Sequence, residues 1–543
     1  MNANATQRSA RIADGQYAGH VAARLLDYFA DTTPWPRRLW NPGSVLALQE
    51  AWDAGLWVRQ QVLSEGALRW YCWWLEPLLG VDPAIGDPAL RRQLTETLRS
   101  TPQEGGRDHR RLFQLISMID RGYVERWGTA VDSRRGVSAE RLARGLAGHL
   151  LDRGFSTGYL HRWVHGAMSS GEATLGDLLD EADGLSQQEN SQFEVLVPFR
   201  SVPDHQTLAA GLEEWRNPSQ VRQWLRDRSL DAAERQNGGF VYSIEAREPN
   251  AAARAAGALV DRLLARSSYA RAGRARLEPV GRIWVAGESE SFPLRAHARG
   301  VDVLSLVRER TMYSLTGSSR VDDALELAAP LNSGPAAPAV SGAWAAVESL
   351  LYHPDDARDR AEGRAVAADR FALLVACSWP RAELTTLSHR HKPQIPDALA
   401  KALASCGSNK ERCEQVAKAL AAGHQLVVTL AGDRAAAAAR MSGLVNQPGQ
   451  TVQEISNLVN GSLRRLYRQR NIIVHGGTTH NPALATTLRT TAPLIGAGLD
   501  RITHAFLTEG VDPLDLASRA QVRLASVERS TWRPIVELLA ALD

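Results

Sequence analysis

A single amphipathic pattern from 450 to 475 limits the fold of this chain more than any other stretch. Val452, Ile455, Val459, Leu463, Leu466 and Ile473 recur at steps of three, four and seven. At helical pitch these positions fall in one stripe, which has to be buried against other helices. Gly476-Gly477 then supplies the residue type that a left-handed helix end favours. The gap in the stripe is position 470, and Arg470 fills it. An unpaired guanidinium is costly to bury, so Arg470 is expected to face an acid, a bound anion or an interface. Asn471 and His475, four residues apart, share the adjoining face. His475 falls in the last turn, where the helix dipole favours a protonated imidazole.

The chain has 543 residues, too many for one core, and suggests about three domains. Residues 1–185 read as a helical domain. There Ser138 stands as an N-cap before the helical spacing of Leu142, Ala143 and Leu146. Nine of the fifteen tryptophans lie between Trp35 and Trp163, and Trp70, Trp73 and Trp74 are spaced for one helix face. That face is expected to be an aromatic core, the alternative being a platform that stacks bases. Residues 190–305 change character. Strands are expected at 193–199, 239–246 and 282–286, with an Ala-rich helix over 250–265, a β-α-β pattern that makes a small α/β domain. No glycine-rich phosphate loop follows a strand there.

A breaker-rich stretch at 329–338 reads as a linker. Beyond it the chain is helical again over 320–510, with a helical tail at 511–543. Trp344, Val347, Leu350 and Leu351 line one helix face. Further helices are expected at 369–379, closed by Pro380, and at 396–404, 411–421 and 433–444. The expected fold class is mainly α: a helical N-terminal domain, a small α/β middle domain and a C-terminal helical bundle.

Composition excludes several function classes. The formal net charge of +3 is small for this length, so a nucleic-acid partner would have to be met by a local patch. Cys72, Cys377, Cys406 and Cys413 have no zinc-type spacing and read as reduced thiols. No metal-ligand motif and no cofactor fingerprint is present, so neither metal nor cofactor is expected. Residues 1–14 are polar, with no apolar signal core, and no run reaches the ~18 apolar residues of a membrane span. A soluble, cytoplasmic protein without membrane association is the expectation.

The local patch is at hand. Arg464, Arg465, Arg468 and Arg470 fall within seven residues around Tyr467, enough to attract a phosphate. A guanidinium, an amide and an imidazole within six residues can grip a phosphate and move a proton without a metal. The blander alternative is a histidine capping a helix end beside solvated arginines.

Arg470-Asn471-x-x-x-His475, closing a helix, resembles the R-x(4–6)-H signature of HEPN ribonucleases, including the polar residue after the arginine. The context Tyr467-Arg468-x-Arg470-Asn471-x-x-Val474-His475-Gly476 is similar to the Apea-like HEPN branch of bacterial anti-phage defence. Ala343-Trp344-Ala345-Ala346-Val347-Glu348-Ser349-Leu350-Leu351 resembles that branch's first helix. The resemblance covers about residues 320–510 and implies a HEPN-like bundle there. It implies metal-independent cleavage of RNA by 2′-OH attack, in a toxin or abortive-infection effector, at a composite site shared by two copies. His475 would be the general acid or base, Arg470 would stabilise phosphoryl charge, and Asn471 would orient the histidine or hold the backbone phosphate. Arg464, Arg465, Arg468 and Tyr467 would bind RNA. One motif per chain implies a homodimer or higher even oligomer. A free ribonuclease would poison its host, so residues 1–310 are expected to sense or restrain it, with a phage-derived trigger or regulatory partner.

Glu348 is a supporting candidate, placed to pair with Arg470. His480 follows Gly476-Gly477-Thr478-Thr479 in an expected loop, which makes His475 the preferred histidine. The competing hypothesis is a non-catalytic RNA- or nucleotide-binding or dimerisation module that regulates a partner.

Overall fold

The computed structural model describes residues 7–13, 16–133, 136–203, 208, 211–230, 234–270, 276–295, 299–314, 319–358, 363–427, 436, 440–441, 443–479, 481–527, 533–536 and 538–539. Over these the chain is mainly helical, with one small antiparallel sheet. It divides into two compact units. Met1–Asp152, Trp163–Asp183 and Arg299–Asp543 make the larger, and Arg153–Arg162 with Gly184–Ala298 the smaller. The N-terminal and C-terminal helical stretches, read apart in the sequence, fall in the same unit.

The smaller unit is organised by strand β1 (Ser191–Ser201). Alternation decides which side chains go to which face. Val195, Val197 and Phe199 join a core with Ala252, Ala256 and Val260 of the helix Pro249–Ala270. Leu196 points the other way, to Val221 and Trp224 of the helix Pro218–Arg226. β1 is thus buried on both faces. Strands β2 (Trp215–Arg216), β3 (Gly239–Ala246), β4 (Glu278–Pro279), β5 (Arg282–Val285) and β6 (Phe292–Pro293) complete the sheet in the order β2-β3-β1-β5-β6, with β4 also on β1. The three long strands lie where they are expected. The β-α-β unit differs in one respect. β1 runs antiparallel to both β3 and β5, so these two are parallel but split by β1. The block is a mixed layer of helices on an antiparallel sheet rather than a parallel α/β unit.

In the larger unit the amphipathic stretch forms one helix, Pro448–Gly476, the motif helix. Val452, Val459, Leu463 and Leu466 are fully buried. They pack against the helices Ala336–Leu351, Val366–Arg390 and Pro482–Glu509. Two expectations are corrected there. Helix Val366–Arg390 runs straight through Pro380. Burial of Trp379, Pro380 and Leu384 outweighs the ~3 kcal/mol that an interior proline costs. The stretch 329–338 is no linker but a helical corner, Pro330–Ser333 leading into Ala336–Leu351. Its prolines stand at helix starts, where a missing N–H is harmless, and Arg299 donates to the carbonyls of Leu331 and Gly334 at 2.9 and 2.8 Å. The expected helix at 433–444 lies largely outside the described residues. Among the described residues no helix is long and apolar enough to cross a membrane.

The Trp70 face is also corrected. Trp73 is 67% exposed, whereas Trp70 and Trp74 stack on each other and lie on the motif helix. Gly461 makes this approach feasible, because a Cβ there would collide with the Trp74 indole. Gly→Ala inside a helix ordinarily gains about 1 kcal/mol. At position 461 the methyl must displace Trp74, an overpacking cost of ~1–3 kcal/mol. Gly461→Ala is therefore expected to lower stability in a urea melt, and to raise it by about 1 kcal/mol in a Trp74→Ala background. Equal effects in the two backgrounds would mean that the indole is not what keeps glycine at 461.

Candidate functional site

Three of the four clustered arginines are held by carboxylates. Arg464 forms a forked pair with Asp369, at 2.6–3.0 Å, and lies over the Trp70 ring. Arg465 Nε donates to Glu50 Oε1 at 2.7 Å, and its Nη2 reaches the same oxygen. Arg468 Nη2 donates to Glu50 Oε2 at 2.5 Å and packs on the Tyr71 ring. Tyr71 Oη adds a 3.1 Å bond to Glu50. The side chains of Glu50, Arg465 and Arg468 are 3%, 2% and 7% exposed, so both guanidinium groups are turned into the protein. Tyr467 packs on Trp344 with ring centroids 4.6 Å apart. Each member of the expected RNA-binding set Arg464, Arg465, Arg468 and Tyr467 thus makes an internal contact. Paired charges are the form in which buried arginines are tolerated.

Arg470 is the exception. It is half-buried, and among the described residues no carboxylate pairs with it. Its Nη1 donates to Asn471 Oδ1 at 3.0 Å and lies 3.3 Å from His475 Nε2. A guanidinium offers only donors, so this contact requires Nε2 to accept and the ring to be neutral. Asn471 therefore engages the arginine rather than the histidine. The core face explains the exposure: toward the helix end the buried positions shift to Arg468, Gln469 and Ile472, which leaves 470, 474 and 475 outward. His475 is exposed and Val474 is 50% exposed.

The helix end is fixed from two sides. Gly477 takes the left-handed conformation, φ 65°, as C-cap, and a Cβ at Gly476 would sit 2.9 Å from the Trp57 ring. Trp57 belongs to the helix Ser44–Arg59, which also carries Glu50 and Asp53. A crevice of about 10 Å³ lies between that helix and Arg468, Gln469, Ile472 and Asn481, room for about one water.

Asp53 lines that crevice, and its carboxyl is pushed up to about 6, first by burial and then by Glu50, with Arg468 opposing. A carboxylic acid raised in the fold binds its proton more tightly folded than unfolded. Its contribution is complete below the unfolded value near 3.8 and disappears as pH rises through about 6. Asp53→Asn is expected to remove that slope, gaining ~1–2 kcal/mol at pH 7.5 after screening of this half-buried group, with no gain at pH 4. Parallel stability curves for the two proteins between pH 4 and 7 would refute the assignment.

Glu348 does not meet Arg470. It pairs with Arg364 of the turn Gly363–Ala365 at 2.7 Å and accepts from Trp344 Nε1 of its own helix at 2.8 Å. His480 lies outside the described residues. Cys72 and Cys377 are buried, with thiols pushed up to about 12 by that burial, which removes them as nucleophiles. Glu50, Trp57 and Asp369 shape the site and carry no signal in the sequence. Comparison of the chain with family models, curated proteins and solved structures finds no match.

Proposed function

We propose that the protein is a metal-independent endoribonuclease of the HEPN kind, a toxin-type effector of anti-phage defence, with Arg470, Asn471 and His475 as half of a composite site. The observation that carries this reading is selectivity among the arginines. Arg464 is paired with Asp369, and Arg465 and Arg468 share Glu50, while among the described residues Arg470 has no carboxylate and converges with His475 at an exposed helix end.

His475 Nε2 takes the proton of the ribose 2′-OH, the 2′-oxygen bonds to phosphorus, and the bond to the 5′-oxygen breaks. The 5′-oxygen takes its proton from the His475 of a second copy, which enters the step as imidazolium, released from its own Arg470. Arg470 offsets the charge on the non-bridging oxygens. A bound phosphate competes for the guanidinium now resting on Nε2, which frees the imidazole as the substrate arrives. Asn471 holds Arg470 in place. Exposed Val474 beside His475 suits a face covered by a second copy, and so supports a homodimer.

The test is the chemistry of the ends. With chelator present, the purified chain is expected to cut RNA to 2′,3′-cyclic phosphate and 5′-OH termini, to leave DNA intact, and to elute as a dimer. Cleavage leaving 3′-OH ends, or equal cleavage of DNA, would exclude this mechanism. The second reading, a module that binds RNA without cutting it, is poorly served by a motif helix that keeps one unpaired arginine of four.

A further inference from the structure

A cavity opens toward the other end of the motif helix, where Thr451, Glu454, Ile455 and Leu458 line it. It has a volume of about 260 Å³, near the ~300 Å³ lower end of small-molecule sites. Four guanidinium groups, Arg24, Arg38, Arg144 and Arg440, line it against two carboxylates, Glu140 and Glu454. Arg24 is paired with Asp27 and Glu140, and Arg144 with Glu140, but Arg440 is satisfied only in part. The Arg440 side chain is 10% exposed; its Nε reaches Glu383 at 3.1 Å, but among the described residues Nη1 and Nη2 are buried with no hydrogen-bond partner. Burial holds the Arg440 pKa below its ordinary value; Glu383 opposes this, and Arg24 and Arg37 reinforce it. Asn41, 3% exposed, has neither its amide nitrogen nor its oxygen bonded.

Buried polar groups are normally paired, and each orphan asks for an explanation. Here both residues belong to the wall of one cavity, and their orphans differ in kind. Arg440 offers a planar donor pair suited to a phosphate. Asn41 offers a donor and an acceptor side by side, which suits the edge of a heterocycle. Trp40, Trp379 and Pro36 supply an apolar wall. The indole N–H groups are already spent on the carbonyls of Trp35 and Pro36, so these rings offer only apolar surface for a flat ring to pack on.

We infer that this cavity binds a nucleotide, with its phosphate on Arg440 and its base edge on Asn41. The site is separate from Arg470 and His475, and its existence does not depend on the ribonuclease reading.

The experiment measures binding to the full chain by calorimetry and thermal melting. The probes are adenosine and guanosine mono-, di- and triphosphates beside inorganic phosphate and pyrophosphate. At least one nucleotide is expected to bind and raise the melting temperature by roughly 2–4 °C at saturation, with inorganic phosphate giving less than half that shift. Arg440→Gln should weaken binding at least about tenfold. Asn41→Leu is the control for folding: it removes a buried amide that bonds to nothing, so without ligand it should melt no lower than wild type, yet lose the nucleotide shift. No binding by any nucleotide in the set, equal shifts with phosphate and nucleotide, or full binding by both variants would each overturn the assignment. So would an Asn41→Leu protein that melts lower without ligand, since Asn41 would then be structural.

Discussion

Arg470→Ala and His475→Ala are each expected to reduce RNA cleavage by at least about a hundredfold, and by up to ~10⁴ for the histidine, with the fold unchanged. The second half of the expectation is what gives the first its force. Both side chains stand at an outward helix end, and neither is tied to a carboxylate. Truncations at such positions stay within ~0.5 kcal/mol of wild-type stability. The double variant should be no worse than the single ones, because a proton acceptor and a charge stabiliser acting on one transition state are not additive. His475→Gln keeps the size and a hydrogen-bonding end but cannot carry the proton, so it should be as inactive as the alanine variant. Arg470→Lys keeps the charge but loses the fork, and should fall between wild type and Arg470→Ala. If the alanine variants cut as wild type does, or lose activity only in step with lost folding, the assignment fails.

The periodicity of 450–475 was enough to read the motif helix from the sequence, because a stripe at helical spacing must be buried and each residue reports on it. The same holds for β1, where alternation over 195–199 is what sends Val195 and Leu196 to different cores. What local pattern could not reveal is the partner of each charge. Arg464, Arg465 and Arg468 look alike in sequence, and all four arginines look like one basic patch. Their fates are decided by Glu50, 415 residues from Arg465, and by Asp369, 95 residues from Arg464. Pairing across such separations leaves no local trace. The prolines misled in two ways: at Pro380 the local cost is real but burial in the helical core is larger, and in 329–338 they mark helix starts, where they cost little.

Glu50 is where the second large effect is expected. Glu50→Ala should destabilise the larger unit by ~3–5 kcal/mol, because it leaves Arg465 and Arg468 buried without the carboxylate that pairs with both. For Arg465, burial works against the charge, and the Glu50 carboxylate is the first of the groups that restore it; its Nη1 is already without a partner. Glu50→Gln should lose less, since one amide oxygen still accepts, but both arginines then lose the paired negative charge. Removing the whole network is a different matter. Glu50→Leu with Arg465→Leu and Arg468→Met replaces three desolvated charges by apolar volume, a change that is often neutral or stabilising. That triple variant separates two meanings of the arginines. If Arg465 and Arg468 only hold the motif helix against the N-terminal helices, the triple variant folds, melts near wild type in a urea titration and cuts RNA at an undiminished rate. If they contact RNA, it folds but loses affinity and its binding depends less on salt. A folded triple variant with weakened RNA binding would overturn the structural role given to both residues.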